Sequence, residues 1–197
     1  MKDIVFDLGG VLIDWNPRYL YKKIFASEEE MEWFLTNVCT PQWNERQNAG
    51  RPFLQGLAEA KAKYPKYSTQ IDDYFLRWEE MLGGSFKGTV AIQQELKQKG
   101  YRLFALSNWS AETFPIAFEK YNFLKDFNGI VVSGEEGLAK PDPAIYNRLL
   151  TRFSLQADNC IFIDDNEANI TQAAELGFGT IRFTGPEALR QELATLL

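Results

Sequence analysis

Residues 3–12 read DIVFDLGGVL: an unbroken apolar run, Ile4-Val5-Phe6, then one carboxylate at Asp7, then Leu8 and the pair Gly9-Gly10. A short apolar run without helical spacing predicts a strand buried on both faces. A carboxylate is costly inside such a strand, so Asp7 marks its end, and the glycines predict a tight turn beyond it. Similar runs recur as RLFAL at 102–106, GIVV at 129–132, CIFID at 160–164 and TIRF at 180–183. Between them lie stretches with helical spacing. One spans 87–99 and stops at Gly100; another spans 142–152 and opens on the cap-and-proline pair Asp142-Pro143; a third spans 167–176 and stops at Gly177. Strands alternating with helices predict an α/β fold, a doubly wound parallel-sheet Rossmann-like core.

Residues 15–85 break this alternation. They are rich in helical patterns and poor in strand patterns, and they are too long for an ordinary crossover. They predict a small α-helical cap inserted after the first strand, with 1–14 and 86–197 forming the core. The 197 residues are 45% hydrophobic, enough for a proper core, and carry a net charge of −6. That charge argues against a general nucleic-acid partner, which needs clustered Lys and Arg. No leader pattern and no membrane-length apolar run are present, and Cys39 and Cys160 form no CxxC pair. These features predict a cytoplasmic protein with free thiols and no membrane partner, a monomer or weak homodimer. The complete absence of histidine excludes imidazole bases, Ser-His-Asp triads and imidazole metal sites.

In an open parallel sheet, ligands meet the C-terminal ends of the strands. Those ends carry Asp7, Ser107-Asn108 and Asp164-Asp165, and Lys140 lies in the loop after GIVV, within GLAKPDP. Each has an ordinary reading as a turn, a cap or a solvated loop residue. The adjacent carboxylates are the hardest to read that way, because they repel unless a cation or proton intervenes.

FDLGGVL, LSNW, KPDP and FIDDNEAN, in that order, resemble the four motifs of the haloacid dehalogenase superfamily, with the 15–85 insertion where its type-1 helical cap lies. Within that superfamily the chain is similar to the small sugar-phosphatase subgroup, which includes α-glucose-1-phosphate phosphatase and the N-terminal domain of soluble epoxide hydrolase. The resemblance implies a phosphatase dependent on Mg²⁺, with Asp7 as nucleophile and Lys140 paired with it and with the phosphate. It implies phosphate binding by Ser107, Asn108 and Lys140. The metal ligands would be Asp7, the Gly9 carbonyl and Asp165, with Asp164 behind them. Mg²⁺ suits an oxygen donor set, and an aspartate ionised at neutral pH needs no base to attack phosphorus.

The family's phosphatases commonly place an acid two residues after the nucleophile, where this chain has Gly9; Asp14 is a conceivable substitute, though a capping role suits it better. The compact cap points to a small phosphorylated metabolite, with a hexose phosphate as the expected example. Specificity is expected from 43–53, WNERQNAGRPF, through Arg46 and Trp43. Arg46 would bind a second anion or form a surface salt bridge. Trp15 and Trp109 would line the pocket or pack in the core. The alternatives are a 2-haloacid dehalogenase, which needs no metal, and a phosphate-binding protein with little or no catalysis.

Overall fold

The computed structural model describes residues 2–197. Its strands are β1 (Asp3–Phe6), β2 (Ile13–Trp15), β3 (Leu82–Ser85), β4 (Leu103–Ser107), β5 (Gly129–Val132), β6 (Cys160–Asp164) and β7 (Gly179–Arg182). Helices in the insertion are α1 (Arg18–Tyr21), α2 (Glu28–Asn37), α3 (Pro41–Asn48), α4 (Phe53–Lys63) and α5 (Ser68–Leu76). The core helices are α6 (Lys87–Gln98), α7 (Phe114–Lys120), α8 (Ser133–Glu136), α9 (Pro143–Phe153), α10 (Glu167–Glu175) and α11 (Pro186–Leu196).

The α/β reading of the sequence holds. Five strands form a parallel sheet in the order β5-β4-β1-β6-β7, with β1 at its centre. The chain winds outward from β1 through β4 to β5, then returns to β6 and β7 on the other side. The crevice left where the winding reverses therefore lies beside the end of β1. Burial alternates with the strand period: Ile4 and Phe6 pack with Leu103, Ala105, Ile161 and Ile163 on one face, while Val5 packs with Phe104, Leu106 and Phe162 on the other. The expected helix signals act as read: the Asp142 carboxylate accepts the Ala144 amide at 2.8 Å, and Gly100 and Gly177 have φ of +87° and +91°.

The short antiparallel ribbon of β2 and β3 was not anticipated. Ile13-Asp14-Trp15 is too brief to show alternation, and LGGS reads locally as a turn. Trp15 lies in β2 and Ser85 in β3, so the chain enters and leaves the helix-rich stretch through this ribbon. Aromatic packing fills the cap, with Tyr21, Phe34, Phe53 and Tyr74 all buried, and its apolar cluster is continuous with one face of the sheet.

Besides the Lys120–Glu79 ion pair, two polar contacts to the backbone dock the cap on the core. The Ser133 hydroxyl donates to the Asn48 carbonyl, and Glu112 Oε1 accepts the Phe53 amide at 2.7 Å. The second contact supplies the helix cap that Pro52, preceding α4, cannot offer.

Candidate active site

The register of the central strands dictates what meets at their ends. Phe6 pairs with Ala105 on one side and Ile163 on the other, and the Asp7 amide donates to the Ile163 carbonyl at 2.8 Å. Asp7 therefore emerges beside Asp164, the last residue of β6. Between them lies the buried ammonium of Lys140, 3.0 Å from Asp7 Oδ1 and 2.6 Å from Asp164 Oδ2. Asp7 Oδ1 also accepts the Leu8 amide at 2.7 Å, so one carboxylate oxygen is tied down and Oδ2 carries none of these bonds.

Asp164 is fully buried and held from several sides. The Asn169 carboxamide donates to both its oxygens at 3.1 and 3.0 Å, and the Asn166 amide donates to Oδ1 at 2.8 Å. Asn169 was not singled out from the sequence. It stands five residues after Asp164 on α10, one helical turn inside the Asn166 cap, and that spacing was the available signal.

Asp165 is exposed, yet carboxylate oxygens of Asp7, Asp164 and Asp165 all lie within 4.8 Å of one another. The close approach of Asp165 requires glycine at position 10. A Cβ there would sit 2.5 Å from Asp165 Oδ2, and Gly10 has φ of +78°. The space that a side chain would fill holds a carboxylate instead.

Burial, opposed by Lys140 and reinforced by Asp164, raises the Asp7 carboxyl to about 7. Desolvation, with the neighbouring Asp164, also raises Asp165. Burial pulls the Lys140 ammonium down, but attraction to Asp7 and Asp164 prevails and holds it above its ordinary value. When ionised, the three carboxylates exceed the one ammonium by two negative charges. The donors are all hard oxygens, and the excess matches a divalent cation such as Mg²⁺.

Ser107, the last residue of β4, is 1% exposed, and its hydroxyl has no hydrogen-bond partner among the described residues. Asn108 is placed differently from the expectation. Its carboxamide is turned onto the backbone of Lys140, accepting that amide at 2.8 Å and donating to that carbonyl at 2.9 Å. This reciprocal pair fastens the lysine loop to the end of β4, which makes Asn108 a positioning residue for Lys140.

Trp43 also departs from expectation. Its indole packs against Phe53 and Tyr74 and donates to the Gly56 carbonyl at 3.1 Å, so it belongs to the cap interior. Arg46 forms no ion pair among the described residues. It lines a cleft of about 500 Å³ between α3, the loops bearing Asn108 and Lys140, and the first turn of α10 with Asn169. Asp14, the conceivable replacement acid, lies in the ribbon and accepts the Tyr19 hydroxyl at 2.7 Å.

A second, smaller cavity of about 80 Å³ opens at Gly9, where a Cβ would meet nothing within 4 Å. Trp15, Trp78 and Trp109 wall it, so the two tryptophans expected either in the pocket or in the core serve as both.

A family model described as haloacid dehalogenase-like hydrolase matches residues 1–177. Acyl-CoA dehydrogenase family member 10 of Mus musculus is 33% identical over the whole chain, which spans only 19% of that protein. A sesquiterpene phosphatase of Aspergillus oryzae is 27% identical, covering all of this chain and 96% of its own. Among solved structures, a wild-type haloacid dehalogenase family enzyme of Bacteroides thetaiotaomicron, in complex with magnesium and inorganic phosphate, superposes with a TM-score of 0.70. It is 24% identical and covers 94% of this chain and 95% of its own.

Proposed function

The chain belongs to the haloacid dehalogenase-like hydrolases, and from that premise we propose that it is a Mg²⁺-dependent phosphatase acting on small phosphate monoesters through an aspartyl-phosphate. The observation that carries this reading is the cluster at the end of β1, where buried Lys140 bridges Asp7 and Asp164 while Asp165 approaches over Gly10. A relative named as a phosphatase along its whole length supports the same reading.

Asp7 Oδ2 is the attacking atom, since Oδ1 is occupied by Leu8 and Lys140. It forms a bond to phosphorus as the bond from phosphorus to the ester oxygen breaks, and the electron pair leaves with that oxygen. Water then splits the aspartyl-phosphate, restoring Asp7 and releasing inorganic phosphate. Lys140 offsets the negative charge of the phosphoryl group and fixes the Asp7 rotamer. The free Ser107 hydroxyl is available to a phosphoryl oxygen. Asp7 and Asp165, with the Gly9 carbonyl, would hold Mg²⁺, and Asp164 would anchor Lys140 behind them. The metal when bound would neutralise the phosphate and allow one anion to approach another.

The third carboxylate, and the glycine that admits it, favour this reading over a metal-free 2-haloacid dehalogenase. The test is phosphate release from a panel of monoesters with Mg²⁺ and with EDTA. Wild-type protein should turn over only with Mg²⁺, and Asp7→Asn should lose at least a thousandfold. Chloride release from 2-chloropropionate in EDTA, without phosphate release from any ester, would reverse the assignment.

A further inference from the structure

The cavity at Gly9 lies two residues beyond Asp7, and two of its properties would constrain the alcohol half of an ester seated there. None of its lining side chains carries a charge or titrates near neutrality. The polar ones are the carboxamides of Asn44, Asn48 and Asn108 and the hydroxyl of Thr113. Its walls are otherwise indole: Trp15, Trp78 and Trp109, three of the five tryptophans in the chain. Trp78 and Trp109 are 4% and 5% exposed and brace each other, with ring centroids 5.6 Å apart. The indole N–H groups of Trp15 and Trp109 are buried and have no partner among the described residues.

An uncharged aromatic enclosure of this kind penalises a leaving group bearing a carboxylate or second phosphate, which would enter without a counter-charge. It favours a flat ring, which gains area and edge or face contacts from the indoles. The lack of an acid adds a separate constraint. No lining group can protonate the ester oxygen as it departs, so that oxygen must leave as an anion. A phenolic hydroxyl has a pKa of about 10, against about 16 for water, and so departs unprotonated far more readily than an alkoxide.

Resting on the phosphatase reading, we infer that the preferred substrates are monophosphate esters of small, uncharged aromatic hydroxyls. The phosphorus–oxygen bond breaks with its electron pair going to the aryl oxygen. The aryl oxide then takes its proton from solvent water. The unpaired indole N–H groups and the two cap carboxamides would meet acceptor substituents on the ring.

The test separates ring recognition from the intrinsic reactivity of aryl esters by measuring binding without turnover. Asp7→Asn protein in Mg²⁺ is titrated by calorimetry with phenyl phosphate, glucose 1-phosphate, phosphoglycolate and inorganic phosphate. Phenyl phosphate should bind at least tenfold more tightly than the other three. Trp15→Ala in the same background should erase that advantage over inorganic phosphate. Asn44→Asp, which places a charge in the cavity while conserving side-chain size, should cut phenyl phosphate affinity tenfold or more. Equal or tighter binding of glucose 1-phosphate or phosphoglycolate overturns the inference, as does an advantage that survives both substitutions. If wild-type protein with Mg²⁺ releases phosphate from none of the three esters, the phosphatase reading itself fails, and this inference fails with it.

Discussion

Replacing Gly10 with alanine separates backbone strain from damage to the proposed metal site. The residue has φ of +78°, a conformation that costs an L-residue roughly 1–2 kcal/mol. In a chain of this size that corresponds to a fall in Tm of about 2–8 °C. The new Cβ would lie 2.5 Å from Asp165 Oδ2, and ordinary contact begins at 3.4 Å, so the carboxylate must retreat by about 0.9 Å. Asp165 ends in an exposed, flexible carboxylate, and the retreat itself adds little to the folding cost. It is large beside the roughly 0.2 Å tolerance of a metal–ligand distance, so the penalty should fall on Mg²⁺. We expect the Mg²⁺ concentration for half-maximal phosphate release to rise at least tenfold, and the Mg²⁺-induced gain in Tm to shrink accordingly. Gly100→Ala is the control: φ there is +87°, but a Cβ meets nothing within 4 Å. It should show a comparable loss of Tm with an unchanged Mg²⁺ requirement. If the two variants have the same Mg²⁺ dependence, the close approach of Gly10 and Asp165 does not serve the metal and the reasoning is refuted.

Gly9→Asp should fold normally, since its Cβ enters open space, and should raise turnover tenfold or more on alkyl phosphates while leaving aryl phosphates nearly unchanged; equal gains on both would show that leaving-group protonation is not what position 9 controls. Lys140→Met leaves Asp7 and Asp164 buried without their cation and should cost about 3–5 kcal/mol at neutral pH, measured by denaturant unfolding; a loss below 1 kcal/mol would contradict the bridging role. Asp7 has a folded pKa of about 7, above the ordinary 3.8, so its proton favours the folded state. Its contribution is full below about 4 and lost as pH rises towards 7. Thermal scans in EDTA should therefore show a fall in Tm across that window that Asp7→Asn lacks, and parallel profiles for the two proteins would refute it.

Much of the site could be read from the sequence because strand ends are marked locally. Asp7, Ser107 and Asp164 each follow or close a short apolar run, and parallel winding carries all three to one edge. Side-chain partnerships across that edge could not be read in the same way. Asn108 and Lys140 are 32 residues apart, and nothing in LSNW shows that the carboxamide turns to the lysine backbone instead of outward to a ligand. Trp43 misled for the opposite reason. A tryptophan beside arginines and a glycine looks functional, whereas its surroundings, Phe53 and Tyr74, come from helices that the linear pattern does not place beside it. The β2–β3 ribbon escaped because 66 residues lie between its strands, which are too short to display alternation.

That ribbon has a consequence for how such a protein can diversify. Asp14 and Gly84 are partners in it, so the chain leaves the core and returns to it side by side. From the standpoint of the sheet, everything between them is one long hairpin loop. The closure cost of a loop rises only about 0.6 kcal/mol for each doubling of its length. The segment can therefore be shortened, lengthened or exchanged wholesale with little penalty to the core that holds Asp7, Lys140 and Asp164. Two of the three indoles, Trp78 and Trp15, enter the Gly9 cavity from the exchanged segment or its root, whereas Trp109 follows β4. Grafting another cap onto the same ribbon would reset which alcohol is accommodated and leave the phosphate chemistry where it is.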